Sequence, residues 1–547
     1  MRFAPPESGL RTVGSPVGTS DYRRTWCLEY ISDKVQPLLE AVKELALYEG
    51  KDENGAQAAF TILRYSASSK LTHLLRSTPP SLINEAALAH DNAITDCLAH
   101  ILDHTNPTLF SEGSSSSAAT QAALPTQQGG LGLGSAQLTS RPAFLASWID
   151  FLRFNHARPS FIPALTSTLS PSSLASNLNP DIVQLRLVWS GLVARLTRPD
   201  PSSGIIVGGE YELRNVLGAH VHSVSDLATA KSLSQKDLTT LCMRALEREW
   251  RDSASKSDRA RLTDCGGREA AWVTRCPTRP EYRVKNPLWR VALLTRLALP
   301  LPHLRARQPG CVCHDRFDSH AHDPGRRRLK RPAIVDALGE HDQRCPLTFT
   351  LGRHDEVQES ALRPTLKANG IHVSNSKTSE LRKPGDFNDK CRRKGDLTAT
   401  GLFHPGKDIL DVGITHPTID SSINHLSSEV RGAAANRYAA TKDRRANATI
   451  KAKGLDVSFL AITFGSYGAF GKSAHRLIAK ATADAPVSVF NPWVKPGPKA
   501  HAYLLFGFSL ARANARMLIN ADSKRRSARN SVRASRPQST SSVAVHG

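Results

Sequence analysis

The segment Ile409-Leu410-Asp411-Val412-Gly413-Ile414 constrains this chain more than any other. A continuous β-prone apolar run reads as a buried strand, so its one acid enters the interior with it. A buried carboxylate is costly unless it is paired or bound to a metal, and that cost points to function at Asp411. The structural alternative is an Asp411 that sits at a strand end and caps it. A second acid, Asp396, closes the basic turn Arg393-Lys394-Gly395, and Gly401, Pro405 and Gly406 between the two acids supply turn residues. A hairpin over this stretch brings both carboxylates onto adjacent strands. Such a pair can hold Mg2+ without filling its shell, leaving room for water and a phosphate oxygen. Lys442, on a predicted helix, is the expected cation beside them, with Lys407 as the alternative. Glu356 and Glu359 are weaker auxiliary ligands.

Upstream, Cys311 and Cys313 lie close together, and His341 and Cys345 fall one helical turn apart. Four N and S donors in two clusters describe a closed structural Zn2+ site. Cys-x-Cys is tighter than usual, the clusters lie well apart, and His314, His320, His322 and His354 compete as ligands. An unligated loop with solvated histidines is therefore the alternative. Between the clusters, Arg326, Arg327, Arg328, Lys330 and Arg331 form a basic run that suits phosphate contacts or nuclear targeting, or is simply solvated.

At 547 residues the chain exceeds a single hydrophobic core, so three or more domains are expected. Lys and Arg exceed Asp and Glu by 23, a surplus that favours polyanions through counterion release. DNA, and RNA as a further candidate, are the expected partners. There is no run of eighteen apolar residues and no apolar leader, so neither a membrane span nor secretion is expected. Nine scattered cysteines do not make a disulfide framework, which predicts a reducing compartment, nuclear or cytoplasmic.

Helical periodicity starts at Trp26 and continues through about residue 104, with Pro37 predicted to kink the first helix. The cluster Gly129-Gly130-Leu131-Gly132-Leu133-Gly134 lacks the Lys-Ser/Thr of a phosphate loop and reads as a helix-entry turn. From about His354 the pattern becomes α/β. Strands are expected at Ile371–Ser374, Leu397–Thr400, Ile409–Thr415 and Val457–Phe464, and helices near 425–450, 471–483 and 500–518. Residues 521–547 are Ser/Arg-rich without apolar periodicity and read as a disordered tail.

In this order the parts resemble the C-terminal portion of a non-LTR (LINE-type) retrotransposon polyprotein of the restriction-like endonuclease branch. Val13-Gly14-Ser15-Pro16-Val17-Gly18 resembles the stretch ending a reverse-transcriptase palm. Ala271-Trp272-Val273 with Cys276-Pro277, and Arg296-Leu297-Ala298-Leu299-Pro300, resemble the linker before a CCHC knuckle. Gly352-Arg353-His354-Asp355 resembles the opening of a PD-(D/E)XK nuclease, and Lys394-Gly395-Asp396 stands for its first acid motif. The resemblance implies a multi-domain chain: a mainly α-helical N-terminal half, a zinc-knuckle-like module, and an α/β restriction-endonuclease-like C-terminal domain. It places a palm remnant at 1–25, a thumb-like domain at 26–160 and a helical linker at 161–305. The knuckle then spans 306–352, the endonuclease 353–518 and a basic tail 519–547. Asp396 and Asp411 would hold Mg2+, Lys442 would act with them, and Arg353 would join the basic run in contacting phosphate. Gly395 replaces the usual proline, the second strand lacks the usual lysine, and the knuckle carries a basic insertion. No polymerase-type Asp-Asp pair occurs, so no reverse transcription is expected of this chain. A remnant that binds nucleic acid without cleaving it is the alternative.

Overall fold

A computed structural model describes residues 9–50, 53–103, 118–155, 187–188, 234–305, 311, 335–345, 347–348, 350–375, 381, 395–483 and 496–534. Cys313, the run Arg326, Arg327, Arg328, Lys330 and Arg331, and the loops expected near 167–180 and 199–210 lie outside them. The chain divides into two compact units, Met1–Ser255 and Lys256–Gly547. The described residues are mostly helical, with a small mixed sheet in the second unit, and none of their helices is long and apolar enough to cross a membrane.

The first unit opens with a hairpin of β1 (Leu10–Thr12) and β2 (Ser15–Val17), followed by α1 (Ser20–Tyr30) and α2 (Gln36–Ala46). Pro37 does not break this helical stretch. A π-turn over Ile31–Val35 precedes it, closed by Gln36 N–H on the Ile31 carbonyl, so the wider loop absorbs the turn in which proline cannot donate. Then come α3 (Gly55–Ile62), α4 (Thr72–Ser77), α5 (Pro80–Ile101), α6 (Ala136–Asn155) and α7 (Gln235–Ser253). Leu39, Phe60, Leu63, Leu71 and Leu74 form the fully buried centre. The glycine cluster is the expected helix entry, with Gly129, Gly132 and Gly134 at positive φ. No phosphate is needed at the start of α6, because Asp91 fills it. Its carboxylate accepts from Ala136 N at 2.7 Å, Gln137 N at 3.2 Å and Ser135 Oγ at 2.6 Å.

The second unit begins with α8 (Lys256–Cys265) and α9 (Asn286–Arg296). These belong to the stretch expected to form a separate linker, yet they are built into the sheet domain. The Asp264 carboxylate accepts from Tyr467 N at 2.9 Å, and a Cβ on Gly465 would collide with it. Burial pushes the Asp264 carboxyl up to about 7. Next come α10 (Thr350–Val357) and α11 (Arg363–Ala368), joined by a further π-turn over Gln358–Leu362. Pro364 stands two residues after that turn, as Pro37 does after the first, and the same relief applies.

The sheet follows the order β3 (Val373–Asn375), β4 (Leu397–Thr400), β5 (Lys407–Thr415), β6 (Val457–Gly465). The first three strands are antiparallel, and β6 lies parallel to β5 after a crossover through α12 (Ala433–Lys453). Helices α13 (Lys472–Ala481) and α14 (Pro498–Ala534) complete the unit. The strands expected from the residue pattern are present within one or two residues. The expected disordered tail is corrected: α14 continues to Ala534. Ala521 and Arg525 on it are buried, and Arg525 donates to Asp342 within the segment that carries His341 and Cys345. Residues 535–547 lie outside the described residues.

Candidate active site and metal group

Strand β5 is buried along most of its length, as its composition dictates. Asp408 and Asp411 stand three residues apart and so face opposite sides of the sheet. Asp408, which the sequence reading passed over, folds the β4–β5 turn: its carboxylate accepts from Leu402 N, Phe403 N and His404 N at 3.0, 3.0 and 3.1 Å. Its signal was a carboxylate just after a Pro-Gly turn, placed to accept from the amides that enter that turn. Asp411 faces α12. Lys442 Nζ donates to Asp411 Oδ2 at 2.6 Å and to the Val412 carbonyl at 3.0 Å, so Lys442 rather than Lys407 is the cation at this acid.

Asp396 lies immediately before β4, which pairs with β5 in the register Leu397 to Leu410. The hairpin therefore brings the two acids to neighbouring strands, as the turn residues predict. Asp396 Oδ2 accepts from Val412 N at 2.6 Å and from His354 Nε2 at 2.7 Å. His354, a competing zinc ligand by its place in the sequence, sits instead on α10 against the first acid, with Nδ1 at 3.1 Å from Asp355 Oδ1.

Burial drives the electrostatics. It pushes the Asp411 carboxyl above its ordinary range; Lys442 pulls the other way, and the nearby Asp396 charge adds to the rise. Burial alone would lower Lys442, but the Asp411 carboxylate outweighs it and holds the ammonium above its ordinary value. At His354, burial is likewise outweighed, here by the hydrogen bonds and charges of Asp396 and Asp355 together, which raise the imidazole. The bonds that secure the two acids fall on Oδ2 of each, leaving the Oδ1 atoms outside them. Glu356 and Glu359 are spent elsewhere: Glu356 pairs with Arg512 and Arg516, and Glu359 with Arg363.

Gly413, two residues beyond Asp411, sets how closely α12 approaches. A Cβ there would lie 2.7 Å from Tyr438 Cε1, and the Tyr438 ring carries Lys442 Nζ 5.1 Å from its centroid. Gly413→Ala is expected to force the partly exposed ring aside, cost about 1 kcal/mol and loosen Lys442. Thermal melting together with the Lys442 ammonium resonance checks this.

Arg353 corrects an expectation. Its side chain is buried, with Nη1 donating to Asn514 Oδ1 at 3.3 Å, and burial lowers it to about 10. It braces α10 against α14 and presents no charge to a phosphate at the surface.

Cys311, His341 and Cys345 converge. Among the described residues they are the group of three or more His, Cys, Asp or Glu whose donor atoms all lie within 4.8 Å of one another. Both cysteines are buried with Val335, their sulfurs 3.5 Å apart, and His341 is half-buried. Asp336 caps the short helix bearing His341, accepting from Glu340 N at 2.9 Å and His341 N at 2.7 Å. This group could hold a metal ion. Asp396, Asp411 and His354 do not form a group of that kind.

No protein-family model matches this chain, and no curated protein matches it.

Proposed function

We propose that the chain is a retroelement-derived nucleic-acid-binding protein whose second unit carries a Mg2+-dependent DNA-nicking site of the restriction-like kind. The observation that carries the reading is the meeting of Asp396, Asp411, His354 and Lys442 at neighbouring strands of one small sheet. The element order supports it: a helix, three antiparallel strands, a crossover helix and a parallel strand, with Asp396 immediately before the second strand and Asp411 on the third. The net charge of +23 supplies general affinity for phosphates.

Two carboxylate oxygens outside the securing bonds suit a hard cation, so Asp396 and Asp411 are the residues that would hold Mg2+. Bound there, the ion would lower the pKa of a water and polarise a phosphate oxygen. The chain's own groups do the rest. Lys442 offers a half-buried positive charge where negative charge develops on phosphate. His354 fixes the orientation of Asp396, and the Asp396 and Asp355 carboxylates beside it favour its protonated form. A plasmid assay tests the proposal: Mg2+-dependent conversion of supercoiled to open-circular DNA is the expected result, and no conversion overturns it.

One observation favours a second reading, a remnant that binds nucleic acid without cleaving it. Lys442 lies 2.6 Å from Asp411 and the acids make no three-ligand group, so the ion pair alone accounts for the burial of Asp411. DNA binding without nicking identifies this case.

The Cys311, His341 and Cys345 group is proposed to bind Zn2+. Two thiolates on tetrahedral zinc stand about 3.8 Å apart, close to the 3.5 Å seen here. Cys313 is the proposed fourth ligand. About one zinc per chain is expected by elemental analysis, falling to near zero in Cys345→Ser.

A further inference from the structure

A concavity of about 440 Å³ in the second unit is lined by four cations that the nicking proposal does not use: Arg268, Arg431, Arg476 and Lys499. All four are exposed, and they come from separate stretches of sequence that the fold gathers. The sequence reading marked none of them.

Its floor is a closed hydrogen-bonded chain. His475 Nε2 lies 3.2 Å from Glu269 Oε1, and His475 Nδ1 lies 2.7 Å from the Tyr503 hydroxyl. One tautomer satisfies both contacts, with Nε2–H donating to the carboxylate and Nδ1 accepting from the hydroxyl. Glu269 is almost fully buried; burial would raise its carboxyl, but the His475 hydrogen bond and the nearby His475 and Arg431 charges outweigh this and lower it, so the one acid of the concavity offsets Arg431 only in part, from beneath. Among the described residues, no carboxylate forms an ion pair with any of the four.

Three of the cations are held in place. The Arg268 guanidinium lies 5.7 Å from the Tyr503 ring centroid, and that of Arg476 lies 4.6 Å from the Phe403 ring centroid. Arg431 packs over Gly267, which has φ +87°, and a Cβ there would come within 2.6 Å of Nη1. Like charges fixed around one hollow repel one another, a cost that a multivalent anion offsets. Guanidinium groups match phosphate oxygens in two-pronged geometry and are already ordered here, so little entropy is lost on binding.

We infer that this concavity seats adjacent phosphate groups, either of a nucleic-acid backbone or of a free oligophosphate. The inference does not depend on cleavage, so it is tested without Mg2+. Full-length protein is titrated with a labelled duplex DNA by fluorescence anisotropy and with sodium tripolyphosphate by calorimetry. The triple variant Arg431→Gln, Arg476→Gln, Lys499→Gln is compared with Lys367→Gln, Lys451→Gln, Lys453→Gln, which removes equal charge from exposed sites elsewhere on the second unit. The pocket variant is expected to weaken binding of one probe by about tenfold or more and to flatten its salt dependence, while the control changes it by less than about threefold. Loss with the duplex assigns the backbone; loss with tripolyphosphate alone assigns a free oligophosphate. Wild type that binds neither probe, or a pocket variant that matches the control, overturns the inference. Because the readout is binding, a failed nicking assay leaves it standing, and the reverse also holds.

Discussion

Replacing Asp396 or Asp411 with Ala is expected to lower the rate of Mg2+-dependent nicking by about 10³-fold or more. One preorganised charge interaction at a reacting phosphate is commonly worth about 10²–10³ in rate, and each substitution removes a cation ligand as well as a fixed charge. The two variants should differ in stability. Asp411→Ala leaves the half-buried Lys442 ammonium beside Tyr438 without its carboxylate, so that variant is expected to be less stable as well as inactive. Asp411→Asn keeps the shape and is the cleaner test of activity. Asp396→Ala unties His354 and frees the Val412 amide, loosening α10 from the sheet. Gel-based nicking rates alongside anisotropy with duplex DNA separate lost chemistry from lost binding, and retained binding with lost nicking is the expected pattern.

The largest stability effect is expected at Arg525, within the stretch whose composition suggested disorder. Its guanidinium and the Asp342 carboxylate are both almost completely buried and bonded to each other, and burial raises the Asp342 carboxyl. Removing one partner of a buried pair strands the other, so Arg525→Ala is expected to cost about 3–5 kcal/mol. In a unit of this size that lowers the melting temperature by roughly 10 °C. Asp342 lies between His341 and Cys345 in sequence, so the loss should reach the metal group: zinc content is expected to fall with stability. Replacing both partners with apolar residues, Asp342→Leu with Arg525→Met, should recover most of the stability, which a merely unfavourable single substitution would not. Differential scanning calorimetry with zinc quantification reads both effects.

The strands were legible because β5 is so apolar that few alternatives exist, and Gly401, Pro405 and Gly406 placed the turn beside it. Asp411 and Lys442 followed from that, one as an acid inside a buried run and the other as a cation on the next helix. The partner of Asp396 was hidden, because His354 lies 42 residues upstream and only the packing of α10 on the sheet brings it near. Polarity misled in two places. Arg353 and Arg525 look like surface charge in sequence, but each is buried and bonded to a polar group, and composition cannot register a pairing. The π-turns before Pro37 and Pro364 were illegible for a related reason: proline forbids the ordinary helical bond but does not say which relief the chain adopts. The phosphate-seating concavity draws its four cations singly from distant stretches, so no spacing rule could reveal it.

The convergence of Asp396 and Asp411 on one cation is tested most directly by Mn2+ titration of zinc-loaded protein, followed by electron paramagnetic resonance. Saturable Mn2+ binding by the wild type, absent from the Asp396→Ala, Asp411→Ala double variant, is the predicted result. Equal Mn2+ binding by both proteins, or none by the wild type, would contradict it.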